Sequence, residues 1–365
     1  MSTLTANVAG AGSGGTGATV APPDTGHAGG DAEGGGIGNF IGGKIFIVAS
    51  NISHNRARGG QGGGEGVFGG EGGSGNGGGL FSASEADIPT VISIVASRFA
   101  FNTARGGAGG QGSSENGLGG SASGGGVATG SDTTLTVIAC FISHNQALGR
   151  TSSTGGGFDL LQTKTTIKAT TFLYNKAVGG AGSFGAGGAI STEDGSTLHI
   201  TASFFLHNLA QGGNGPTGIV GGFGQGGAII SLDSTVVIRA GNFVGNRAQG
   251  GTGGTGADGG DGEGGAIQNF GGTLRVHTSL FNDNQAIGGA AGAGGSGGVG
   301  RGGALFNDNT GVFDLIASIV ARNRAVGATG FGGGVFLETG GTNNIAQSIV
   351  FANFATTAGP NIFEG

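Results

Sequence analysis

Nine times along this 365-residue chain an Asn recurs with the same neighbours at the same distances. The set is Asn55, Asn102, Asn145, Asn175, Asn208, Asn246, Asn284, Asn323 and Asn353. Three residues before each stands a bulky apolar side chain: Ile52, Phe99, Ile142, Phe172, Phe205, Phe243, Phe281, Val320 and Val350. Eight before it lies a second apolar column that runs from Ile47 and Ile94 to Leu315 and Ile345. Two residues after each Asn comes an Ala, from Ala57 to Ala355. Upstream of each Asn sits a GGG or GGA triplet, which begins at Gly34, Gly77, Gly124, Gly155, Gly187, Gly226, Gly264, Gly302 or Gly332. Columns held in register over so many units mean that each position meets the same surroundings every time. Within a unit the β-branched residues alternate with period two, as at Leu198 and Ile200, which predicts strands. Glycine at this density opposes helix.

The triplet-to-Asn distance is nearly constant, with one longer unit, the second. The segment from Asn to the next triplet varies more than twofold in length and is mostly glycine. A rigid half therefore alternates with a loop that tolerates changes of length. The fold class this predicts is all-β, a right-handed parallel β-helix of about nine coils that stack ~4.8 Å apart. In such a tube the apolar column becomes a core stack. The Asn column becomes an inward ladder, each amide bonded to the next. Tolerance of left-handed geometry is a second reason to expect Asn at a turn. Cys140 falls in a column of small residues and reads as a buried, inert thiol.

Composition excludes several classes. Glycine supplies 94 residues, yet Pro is only 5 and no G-X-Y period holds, so collagen is out. The 23 Phe recur at fixed places, which opposes wholesale disorder. Net charge is −6 with no basic run, so no nucleic-acid partner is expected. One cysteine excludes an internal disulfide and a Cys-based metal site within one chain. No apolar run reaches membrane-spanning length, and no membrane insertion is expected. The start shows no secretory leader.

Three segments are expected. Residues 1–33 form a partial coil or N-terminal cap plus loop, in which Leu4, Asn7 and Ala9 repeat the column spacing. Residues 34–358 are the repeat domain, and 359–365 a tail marked by Pro360. The long loops keep a GGx rhythm, and three consecutive ones, after Asn208, Asn246 and Asn284, are equal in length. Three residues per turn is the period of a polyproline or polyglycine II helix, so these loops read either as packed arms of that kind or as a disordered flexible fringe.

"GGAI" at Gly187–Ile190, Gly226–Ile229 and Gly264–Ile267 occurs with "GGAL" at Gly302–Leu305. "FxxN" stands at Phe99–Asn102, Phe172–Asn175, Phe205–Asn208, Phe243–Asn246 and Phe281–Asn284. In these motifs residues 34–358 resemble bacterial β-helix surface proteins, the chlamydial polymorphic outer membrane proteins and the glycine-rich β-helix proteins of environmental bacteria. The resemblance implies a secreted or cell-surface location.

The expected function is a non-enzymatic extracellular scaffold for display, adhesion or assembly into filaments. The alternatives are a carbohydrate-active β-helix enzyme of the lyase or hydrolase kind and an ice- or mineral-binding face. No nucleophile–base set stands out, and one Tyr with no Trp makes sugar-stacking subsites poor. Outward positions hold Lys168, His199, Arg239, Arg275 and His277, a basic stripe on which a surface glycan could lie. Acids recur at the bend after the first strand of the unit: Glu85, Asp87, Asp132, Glu193, Asp194, Asp233, Asp308 and Glu338. Calcium is the one candidate cofactor, with Asp258, Asp261 and Glu263 as weak ligands in a partial nonapeptide match. Phe46, Val48, Val95 and Ile138 make an outward apolar strip that wants a cover, either the glycine arms or a second copy of the chain.

Overall fold

The computed structural model describes residues 2–14, 25–40, 42–64, 66–84 and 88–365. Glu85, Asp87 and the Pro22–Pro23 pair lie outside them. Each coil contributes one strand to each of five parallel sheets, and equivalent strands pair from coil to coil. The sheets are named here by their first strands: I (Thr3–Thr5), II (Val8–Gly10), III (Ala32–Glu33), IV (Ile37–Asn39) and V (Lys44–Val48). Sheets I, II and IV have ten strands, and III and V have nine. The chain is a right-handed parallel β-helix.

The apolar columns meet inside it. Phe172, Phe205, Phe243 and Phe281 lie in register on sheet I and are fully buried. Their rings stack nearly parallel, with centroids 4.9, 4.6 and 4.7 Å apart. Ile200, Ile238 and Val276 face them from sheet V, and Ile190, Ile229 and Ile267 from sheet IV. Sheet II offers only the Ala column to the interior, with Ala210, Ala248 and Ala286 at zero exposure. The tube narrows there, and a larger side chain would have no room.

The Asn column forms an unbroken chain of amides. From Asn7 to Asn353 each Nδ2 donates to Oδ1 of the Asn one coil on, at 2.9–3.0 Å. The same oxygen accepts the backbone N–H of the Asn before it, as Asn246 Oδ1 does from Asn208 at 3.0 Å. The second Nδ2 proton goes to a main-chain carbonyl, that of Phe205 in the case of Asn246. Asn361 closes the ladder at 3.2 Å, and the segment read as a tail adds the strand Ile362–Glu364 to sheet IV.

Turn geometry corrects one expectation. None of the nine Asn is left-handed; the residue before each is, for example His207 at φ 53° and Asp283 at φ 54°. The Asn is there for its amide, not for its backbone. The first glycine of each triplet is left-handed, from φ 57° at Gly155 to 68° at Gly34. A Cβ on the second would strike main chain, at Gly78 the backbone of Thr103 and the Gly125 carbonyl. Both glycines are therefore steric necessities.

The glycine loops are ordered arms. Gly212, Gly215 and Gly218 donate to the carbonyls of Gln249, Thr252 and Thr255, and Gly250, Gly253 and Gly256 to those of Ile287, Ala290 and Ala293. Outgoing and returning legs are also cross-bonded, in a line from Gly213 through Gly222, Gly251, Gly260 and Gly289 to Gly298. A Cβ on Gly251 would collide with the Gly213 carbonyl, whereas Thr252 beside it is exposed. Gly251→Ala is expected to cost about 1–3 kcal/mol and Thr252→Ala almost nothing. Thermal melts of the two variants check this; equal midpoints would mean the arms are not packed. The described part of 25–33 belongs to this slab as well, with Gly26 and Gly29 donating to Phe68 and Glu71.

Among the described residues the arms leave one end of the apolar strip on sheet V exposed, whereas Val95 and Ile138 are half-buried. Phe46 and Val48 are 70 % and 58 % exposed. Cys140 is buried and its Sγ meets the Ile138 carbonyl at 3.2 Å; burial pushes its pKa up.

Candidate functional site

Sheet V brings the basic stripe together. Strand alternation points every second side chain outward, and the register sets His199, Val237, Arg275 and Asp314 in one outer column. Lys168, Thr201, Arg239 and His277 form the next. Lys168, His199, Arg239, Arg275 and His277 line one depression of about 550 Å³, with Thr166, Thr201 and Val237 between them. Arg275 Nε bonds Asp314 at 3.1 Å, the one acidic contact that these five residues make among the described residues. The depression is thus a polar trough of net positive charge, open along the axis.

A second group lies in the seam where sheet III bends into sheet IV. The glycine pair turns the chain so sharply that residues five apart face each other across the seam. Asp159 on sheet IV sits among the hydroxyls of Ser123, Thr154 and Ser191. Ser191 Oγ donates to Glu193 Oε1 at 2.7 Å, which brings the second carboxyl back along the strand toward Asp159. Asp159 keeps a partial surface, but its Oδ1 has none and no partner. Burial, then the Glu193 charge, push the Asp159 pKa up to about 8. Burial likewise raises Glu193. At neutral pH this pair retains a proton. With its Oδ1 buried, it acts as a proton holder.

The three calcium candidates are spent otherwise. Arg301 Nη1 bonds Asp261 at 2.6 Å and Glu263 at 2.9 Å. Asp258 Oδ1 accepts the Ser296 amide at 2.6 Å. Burial raises the Glu263 pKa even so. Among the described residues no group of three or more potential ligands could hold a metal ion. The bend acids divide by role. Asp132, Asp194 and Asp233 take the left-handed turn position. Asp308 accepts from Gly271 N and Thr310 Oγ1 at 3.1 and 2.7 Å. Glu193 belongs to the seam instead.

Two features were missed in the sequence. One is Asp159, whose partners come from three different coils. The other is a row of rings on the outer surface. His54, Phe101, His144, Tyr174 and His207 each precede a ladder Asn, and they stack with centroids 5.0, 4.7, 5.3 and 5.1 Å apart. Its signal was present one position before the Asn column.

No protein-family model and no curated protein matches the chain. Solved structures do. The periplasmic alginate epimerase AlgG aligns at 7 % identity and TM-score 0.34, over 86 % of this chain and 61 % of that one. PfbA, a surface adhesin of Streptococcus pneumoniae, aligns at 11 % identity and TM-score 0.18, over 86 % and 82 %. The catalytic domain of a GH87 alpha-1,3-glucanase aligns at 10 % identity and TM-score 0.21, over 90 % and 63 %. The chain therefore spans about three fifths of the epimerase. At these values the likeness concerns the fold alone. It overturns the expectation of a non-enzyme, since an epimerase and a glucanase are among the structures similar to this chain. The architecture gives no ground for excluding catalysis.

Proposed function

We propose that this β-helix is a carbohydrate-active protein that takes an acidic polysaccharide along the outer face of sheet V. The observation that supports it is the depression of about 550 Å³ lined by Lys168, His199, Arg239, Arg275 and His277. Coils repeat every ~4.8 Å, so a linear polyanion laid along the axis meets one set of side chains per coil. The same depression holds the groups that proton abstraction beside a uronate carboxylate needs. A guanidinium that neutralises the carboxylate acidifies the adjoining C–H, and an imidazole accepts the proton. Arg239 and His277 are register partners, and Arg275 stands two residues before His277 on the same strand. In this reading Arg239 and Arg275 hold the carboxylate and His277 is the base. The reaction class is elimination, in which the C5–H electron pair becomes the C4–C5 double bond as the C4–O bond breaks and the departing oxygen takes a proton from the His277 imidazolium, or epimerisation, in which water returns a proton to the opposite face of C5; a location outside the cell suits either.

The test uses polygalacturonate and alginate, with dextran as the neutral control. Unsaturated ends are followed by ultraviolet absorbance and C5 exchange by NMR in D₂O. His277→Ala should keep binding and lose about a hundredfold or more in rate. Arg239→Ala should weaken binding about tenfold. Dextran bound as tightly as polyuronate, or binding indifferent to Arg239→Ala, would falsify this reading.

The period-three bonding supports reading the arms as polyglycine II helices. The bare Phe46 and Val48 support contact with a second copy. A sedimentation profile that stays monomeric at every concentration would remove that second point.

A further inference from the structure

On the opposite side of sheet I from sheet V, the outer faces of sheets I and II and the turns that leave them carry six cations within four consecutive coils. They are Arg56, Arg58, Arg98, Arg105, Arg150 and Lys176, six of the chain's 15 Lys and Arg. Among the described residues none of the six has an acidic partner within 4 Å, although the chain as a whole is acidic. Arg58 and Arg105 are direct register partners, so two like charges are stacked ~4.8 Å apart at the backbone. Such stacking is unfavourable unless an anion sits between the heads.

A cleft of about 450 Å³ opens there. Arg58, Arg105 and Arg150 line it together with Gly59, Gly60, Gly106 and Gly107 at the roots of the glycine arms. The amides of these four glycines already donate to the carbonyls of Arg105, Gly30, Leu148 and Gly73, so the guanidinia supply the donors that a ligand would meet. The row from His54 to His207 borders the same strip, with Arg98 5.9 Å from the Phe101 centroid. Three of the four ring pairs stack, His144 and Tyr174 are tilted by 45°, and the ring edges are electropositive. Positive edges and unpaired guanidinia attract an anionic group.

We propose that this cleft binds a sugar bearing a tetrahedral oxyanion ester, a sulfate or a phosphate. Three forked guanidinia offer more donors than the two oxygens of one carboxylate can accept, whereas an ester head presents three terminal oxygens. The volume leaves room for the sugar ring that carries it. The site is on another face from the sheet V depression and does not depend on that reading.

The test is calorimetry on the full chain with glucose 6-sulfate, glucose 6-phosphate, glucuronate and a short single-stranded DNA. One or both esters should bind, with glucuronate weaker by about tenfold or more, and binding should fall with added salt. The stronger ester names the source. Arg105→Ala should cost about tenfold or more and Arg105→Lys less, because the fork is lost and the charge kept. Arg105 is exposed in the free chain, so the melting midpoint should not move in either variant. Arg239→Ala on sheet V should leave ester binding unchanged. Glucuronate or DNA bound as tightly as the esters would overturn the proposal, and so would an unaltered affinity in Arg105→Ala.

Discussion

Asn246→Asp is expected to destabilise the chain by more than ~4 kcal/mol at neutral pH, the range reserved for a buried, unpaired charge. Asn246 has zero exposure. Its Nδ2 donates to Asn284 Oδ1 at 2.9 Å and to the Phe205 carbonyl at 2.8 Å. Aspartate would set a charged oxygen against both acceptors. The atoms on its other side, the backbone N–H and Nδ2 of Asn208, would keep an acceptor. The loss therefore falls at this one coil and reaches both its neighbours, through Phe205 before it and Asn284 after it. In a solenoid each coil contacts only its neighbours, so the tube should part there and melt in two steps. Lowering the pH until the new carboxyl is protonated should restore part of the stability. Urea unfolding of the variant checks all of this, and a single transition within ~0.5 kcal/mol of the parent would refute the ladder as a source of stability.

The second large effect is a dependence on pH centred on Asp159. In the unfolded chain this carboxyl titrates near 3.8, and in the folded chain near 8. Below the lower value it is protonated in both states and costs nothing. Between the two, the folded chain retains a proton that the unfolded chain has released. Stability should therefore fall as pH rises through that window, by at most ~1.4 kcal/mol per pH unit. Asp159→Asn keeps the shape and removes the charge. Its melting midpoint should fall less steeply with rising pH than the parent's and lie above it at the upper end, the remaining slope coming from Glu193 and Glu263, which burial still raises. A parent chain that melts no lower at the alkaline end would show that the pair holds no proton.

The inward half of the molecule was open to reading because the same constraint is written again in every coil. Phe205, Phe243 and Phe281 share one environment, as do Asn208, Asn246 and Asn284, and the glycine pair must recur wherever the tube bends that sharply. Outward positions carry no such repetition, because water accepts many side chains. Glu263 illustrates the limit. Its spacing suggested a cation ligand, but its partner is Arg301, one coil on. Asp159 is a harder case, since Ser123, Thr154 and Ser191 reach it from three coils across a bend.

The sequence by itself determined the tube, its lining, its Asn ladder and the steric need for glycine, since a period repeated at fixed spacing leaves one economical way to stack. Only the tertiary structure decided which outer side chains share a trough, a seam or a cleft. Those neighbours lie a whole coil apart along the chain, as Thr103 does from Arg56 and Gln225 from Glu263. That separation is set by arm lengths that vary from coil to coil, and the angle at each bend fixes which faces meet.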